Sequence, residues 1–294
     1  MQDAERFARL FAADSVSPAA LKTGYLDGAG RGVAIFTPHR IQNAENLARA
    51  VAANNADYAH AITTCLPLVR ETDAELRAIY LAFRGLLPER PLPQVHIVFG
   101  AGNSGGTAAP DAQVLGLEVL CRVGTTPDQF RQTMRRFFAH ETVHTWQTDA
   151  ASDERDTLLR AALSEGVADF LASLVTGLSP DESRERYALA READIWTRFE
   201  ADRMLITAST GATDAEKKLA AKRAFGRWFA NAGQTVADVP AGWPGELGYW
   251  VGMRIAAAYF ERATDKRVAL NTLIEARDPQ AILRESGYRP RHKN

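Results

Sequence analysis

The chain has 294 residues, 46% hydrophobic and 24% charged, an ordinary globular balance that excludes a mainly disordered protein. Thirty-five Lys and Arg stand against 36 Asp and Glu, a net charge of −1, so no basic excess favours nucleic acid or an anionic membrane. No run approaches the ~20 apolar residues of a membrane-spanning helix.

The start, Met1-Gln2-Asp3-Ala4-Glu5, lacks the basic end and apolar run of a signal peptide. A chain trimmed of its leader would look the same, so the compartment is left open: periplasmic or secreted after such trimming, cytoplasmic otherwise. Helical grammar dominates, and the N-terminal part reads as helices near 2–13, 42–67 and 73–87. A Ser or Thr cap with Glu or Gln three residues on satisfies two unpaired donors at a helix start. That box occurs at Thr72/Glu75, Thr126/Gln129, Ser179/Glu182 and Thr213/Glu216, with Pro127 and Pro180 at the first helical position of two of them. Val95–Phe99 and Val114–Leu120 read as strands, β-branched and apolar, with Gly32–Phe36 as a third. Between the first two lies Gly100-Ala101-Gly102-Asn103-Ser104-Gly105-Gly106-Thr107. No Lys-Ser/Thr follows it, so it is a poor phosphate cradle and reads either as a solvated hairpin loop or as a rim over a substrate cleft. Further helices are expected near 155–176, 180–205, 214–231, 245–263 and 266–276, with a short one opened by Asp278-Pro279. The nearest thing to a break is Thr148–Asp153, dividing residues 1–148 from 149–294. Cys65 and Cys121 form no CxxC pair; buried free thiols are expected, with a single disulfide as the alternative.

The informative stretch is Phe137-Phe138-Ala139-His140-Glu141-Thr142-Val143-His144-Thr145-Trp146, on the helix opened by Thr126-Pro127. His140 and His144 are i and i+4, so both imidazoles project from one side and can share one metal ion. Glu141 points about a quarter turn away, within reach of a water on that ion. This is the H-E-x-x-H pattern. A catalytic zinc commonly takes three protein ligands and keeps one position open. Downstream, Leu163-Ser164-Glu165-Gly166-Val167-Ala168-Asp169-Phe170 places Glu165 and Asp169 one turn apart in an apolar helix. Buried carboxylates need partners. A metal for Glu165 and a ligating histidine for Asp169 would supply both, and a surface salt-bridging pair is the alternative.

These segments resemble the gluzincin metallopeptidases, in which H-E-x-x-H is followed by a downstream glutamate. Glu165-Gly166-Val167-Ala168-Asp169 is similar to the E-x-x-x-D of thermolysin-like enzymes. Trp146 and Glu165-Gly166-Val167-Ala168 resemble features of the aminopeptidase N family. Asn103–Thr107, Gly116-Leu117-Glu118 and Gly248-Tyr249-Trp250-Val251-Gly252 are similar to bacterial proteins described as predicted zinc-dependent proteases, some related to a gliding-motility lipoprotein. The likeness covers about residues 95–260.

The resemblance implies a mainly helical α+β, zincin-like fold, with a small sheet beside the motif helix in 1–148 and a helical lobe in 149–294. It implies one Zn²⁺ held by His140, His144 and Glu165, with Glu141 as general base and Asp169 orienting His140. Tyr249 is the candidate donor to the oxyanion, with Arg254 behind it; core packing is the other reading of Tyr249. Glu118 stands where aminopeptidases place a carboxylate for the substrate's amine, although their G-x-M-E-N pattern is absent. His39, His60, His96 and His292 read as structural or surface residues. The expected activity is zinc-dependent hydrolysis of a peptide or protein substrate, with Val114–Leu120 as the edge for an extended peptide. The alternative is a non-catalytic peptide-binding or chaperone-like protein on the same fold.

Overall fold

The computed structural model describes residues 1–147, 156–207, 213–231 and 239–291. The chain is mainly helical with one small mixed sheet, and it divides into two compact units, Met1–Trp146 and Gln147–Asn294. The Thr148–Asp153 break, the expected start of a helix at 155, and His292 lie outside the described residues.

The first unit runs α1 (Gln2–Ala12), α2 (Pro18–Leu21), α3 (Arg31–Phe36), α4 (Ala44–Ala53), α5 (Asn55–His60), α6 (Leu66–Glu71) and α7 (Asp73–Leu86). Then come β1 (Gln94–Val98), β2 (Gly106–Ala109), β3 (Ala112–Gly116), α8 (Leu117–Val123) and α9 (Pro127–His144). The strand order is β1-β3-β2, with β3 parallel to β1 and antiparallel to β2. The expected strand Val114–Leu120 is therefore corrected twice. It stops at Gly116, which caps α8, and it is the central strand rather than the edge. The turn at Pro110-Asp111 folds β2 back onto β3, so β2 is an edge strand, as is β1 on the other side. Gly32–Phe36 is a helix, not a strand: Val33 and Phe36 bury one helical face. So short an apolar run cannot be assigned by period alone.

The long helix expected over 42–67 is broken. Asn54 leaves helical geometry at φ −129°, and Pro67, with no N–H to donate, opens α6 after a π-helical turn at Ala61–Cys65. Thr72 makes no capping box, because its hydroxyl donates to the Val69 carbonyl. Cys65 and Cys121 are joined in a disulfide, correcting the expectation of free thiols. It ties the π-helical turn to α8 across 56 residues, worth about 4 kcal/mol on a chain-entropy account. The core is aromatic where it meets β1: Phe7 stacks on Phe99 at 4.6 Å, and Tyr25 and Tyr58 close around them.

The second unit is helical: α10 (Thr157–Thr176), α11 (Glu182–Leu189), α12 (Glu192–Thr207), α13 (Asp214–Trp228), α14 (Leu247–Arg262), α15 (Lys266–Glu275) and α16 (Pro279–Ser286). The helix expected over 180–205 is two, and Asp181 rather than Ser179 caps the first by accepting the Arg184 N–H at 2.8 Å. Pro180 consequently sits outside the helix. The α10 and α14 backbones meet at paired glycines: a Cβ on Gly252 would lie 1.7 Å from the Ala162 carbonyl oxygen. Only glycine lets two helices approach so closely.

Candidate metal centre

Helix α9 begins as the sequence predicts. Thr126 accepts the Gln129 N–H and the Gln129 side chain accepts the Thr126 N–H, with Pro127 at the first helical position. Phe130, Met134 and Phe138 recur every fourth residue and are buried. The last turn is pinned to the sheet by polar bonds. Gln113 of β3, fully buried, donates to the Thr142 hydroxyl at 2.8 Å, which donates in turn to the Phe138 carbonyl at 2.7 Å. Just past the helix, Trp146 packs edge-on against Phe83 and donates to the Pro91 carbonyl, a core role.

This fixed turn carries His140, Glu141 and His144. The two imidazoles stand face to edge, with centroids 4.6 Å apart and Nε2 atoms 2.9 Å apart. Two such nitrogens can bind one ion whose Zn–N bonds are ~2.0–2.1 Å, so the donor pair fits zinc. Glu141 is 6% exposed and lies against the backbone of β2. A Cβ added to Gly106 would come within 2.4 Å of the Glu141 carboxylate oxygen, and one on Gly105 within 2.3 Å of the Phe137 ring. The glycine loop is therefore a rim pressed onto the motif helix, not a solvated hairpin. Along the chain Gly105 and Gly106 look like loop and nothing more; their contacts with Phe137 and Glu141 arise from the antiparallel return of β2.

Glu118, the candidate amine-binding carboxylate, grips the glycine loop. It is 2% exposed, its two oxygens accepting the N–H groups of Gly100 and Gly102 at 3.0 and 3.1 Å. Burial raises its pKa above the ordinary 4.5, partly offset by those bonds and by Arg122. His60 lies beside Cys65 and Cys121, but the disulfide consumes both sulfurs. His96, on β1, has its pKa lowered by burial.

In the second unit Glu165 and Asp169 sit one turn apart on α10, as their spacing requires. Asp169 is buried and accepts from Arg184 at 2.9 Å. The same guanidinium donates to the Glu246 carbonyl at 3.2 Å and lies 5.6 Å from the centre of the Tyr249 ring. Arg184 thus joins the carboxylate to Tyr249, which is half-buried against Phe229 in the first turn of α14. Removing one member of such a buried pair typically costs about 3–5 kcal/mol. The sequence carries no signal for Arg184, one of two arginines on a short polar helix. Arg254 is engaged with Glu192 at 2.9 Å, which also accepts the Tyr288 hydroxyl at 2.9 Å.

Among the described residues no helix is long and apolar enough to cross a membrane. No curated protein and no solved structure matches the chain. A family model does run through both units, the H-E-x-x-H helix and the Glu165 helix alike, from residue 4 to residue 290: the chain belongs to the family of the gliding motility protein GldB.

Proposed function

We propose that the protein is a zinc-dependent hydrolase of peptide bonds, its zinc held by His140, His144 and Glu165. The observation that carries this reading is the last turn of α9, where two converging imidazoles flank a buried carboxylate under the β2 edge. Among the described residues the three side chains are a group of the right types to hold a metal ion. A bound zinc ion supplies a Lewis acid for a carbonyl and makes water acidic enough to attack near neutral pH.

The chain's own groups do the rest. Glu141 accepts the proton of the attacking water and returns it to the leaving amine. Gly106 confines that carboxylate, and the open edge of β2 offers an extended peptide its backbone partners. On this reading Asp169 would accept the second ring N–H of His140 and fix the orientation of that ring. Arg184 holds Asp169, and Tyr249 donates to the oxyanion. Glu118 is read as a brace of the glycine loop, since both its oxygens are taken by loop amides.

A second reading, a peptide-binding protein without hydrolysis, is equally in keeping with the family's description as a gliding motility protein. Metal analysis coupled to a peptide library separates the two. The first reading expects one zinc per chain, lost in His140→Ala, and cleavage that Glu141→Gln abolishes while retaining zinc. Zinc-loaded protein that binds library peptides and cleaves none establishes the second.

A further inference from the structure

We propose that Glu118 is a positioning residue for Glu141, acting through the glycine loop that walls the Glu141 carboxylate. The inference rests on the hydrolytic reading above, since it gives Glu141 its chemical role.

The loop has few side chains with which to hold itself, and α8 supplies the grip. Gly100 and Gly102 donate to opposite oxygens of Glu118. One turn further along α8, Arg122 donates to the Gly102 carbonyl at 2.9 Å. The Gly100 carbonyl accepts the Tyr58 hydroxyl at 2.7 Å, and the flanking Phe99 exchanges two bonds with the Tyr25 hydroxyl, each 2.9 Å. At the far end, Gly116 at the start of α8 donates to the Gly105 carbonyl at 3.0 Å. Gly105 and Gly106 then rest on Phe137 and Glu141 with no room for a methyl group. A fraction of an ångström at the loop is therefore passed directly to the carboxylate. The helix that grips the loop is anchored by the Cys65–Cys121 disulfide, one turn from Glu118.

The chemistry explains why a carboxylate stands there. The two N–H donors meet different oxygens of the carboxylate, and its amide offers an acceptor at only one of those two positions. In Glu118→Gln one amide arm meets an N–H donor instead of accepting it, leaving a buried donor unpaired at nearly unchanged volume.

The test uses the zinc-loaded protein. In Glu118→Gln, amide exchange across residues 99–106 should accelerate at least ~10-fold as the local opening cost falls. Zinc content should stay parental. Peptide hydrolysis should lose about 10-fold in kcat with KM little changed, since a 1 Å misplacement at a reacting group costs on the order of 10²-fold. The Glu118→Gln and Gly106→Ala losses in kcat should fall short of multiplying, because both act on one wall. Multiplicative losses, or parental loop exchange in an active enzyme, overturn the proposal. A parent that cleaves nothing while Glu118→Gln still loosens the loop overturns the hydrolytic reading instead. If Glu118→Gln does not fold, Arg122→Ala, which frees the Gly102 carbonyl and the exposed Asp57 carboxylate, carries the same exchange and kcat measurements, with the same outcomes deciding.

Discussion

Replacing Gly106 by Ala tests whether the β2 edge sets the position of Glu141. The added Cβ would stand 2.4 Å from the nearer carboxylate oxygen and 2.7 Å from both Cδ and Cγ. Ordinary contacts begin near ~3.4 Å, so the carboxylate must withdraw by about 1 Å. It can do so, because what is struck is the end of a side chain and not backbone. The stability cost should therefore fall at the low end of the ~1–3 kcal/mol for overpacking, a Tm loss of about 2–4 °C. The kinetic cost is larger: a 1 Å misplacement of a reacting group lowers the rate by on the order of 10²-fold. Three measurements on one preparation suffice: thermal unfolding, zinc content, and hydrolysis of a fluorogenic peptide that the parent cleaves. Zinc at one per chain, a small shift in Tm and a hundredfold loss of kcat are expected. A variant with parental kcat would show that the wall does not fix the base, and the argument from Gly106 would fail.

Tyr249→Phe should lower kcat by about 10²–10³ with KM nearly parental if the hydroxyl donates to the oxyanion; unchanged kinetics return Tyr249 to packing against Phe229 and Arg184. Gly252→Ala strikes the Ala162 carbonyl at 1.7 Å, backbone against backbone, so the second unit should lose more than ~4 kcal/mol. A Tm within a few degrees of parental in that variant would refute the glycine contact. For His96, burial sets the folded pKa below the ordinary 6.5, so the stability it contributes is present above that value and is lost as pH falls through the folded pKa. His96→Leu should flatten the fall of Tm between about pH 7 and 5, and an undiminished slope would assign that fall to other groups.

The elements with strong local chemistry are legible in the amino-acid sequence. Helix α9 carries its capping box and fourth-residue apolar stripe within one segment, and His140, Glu141 and His144 inherit their shared turn from helical geometry alone. The same holds for Glu165 and Asp169 on α10. Where two local signals compete, the sequence misleads: Ser179 and Asp181 can both cap, and the aspartate takes the Arg184 N–H. Val114–Leu120 reads as one β-branched run, yet Gly116 ends the strand because α8 must turn Glu118 and Cys121 into the unit's interior.

Meetings between residues far apart in the chain belong to the tertiary structure. Composition and spacing name both cysteines but not their pairing, which needs the π-helical turn beside α8. They name Glu118 but not its partners, the Gly100 and Gly102 amides 18 and 16 residues back along the chain. They give no hint of Arg184 on Asp169, or of Gly106 on Glu141, since neither is a pattern along the chain. A motif reports what one helical turn can do. Which backbone closes over that turn depends on strand order and helix packing, set by burial summed over the whole unit.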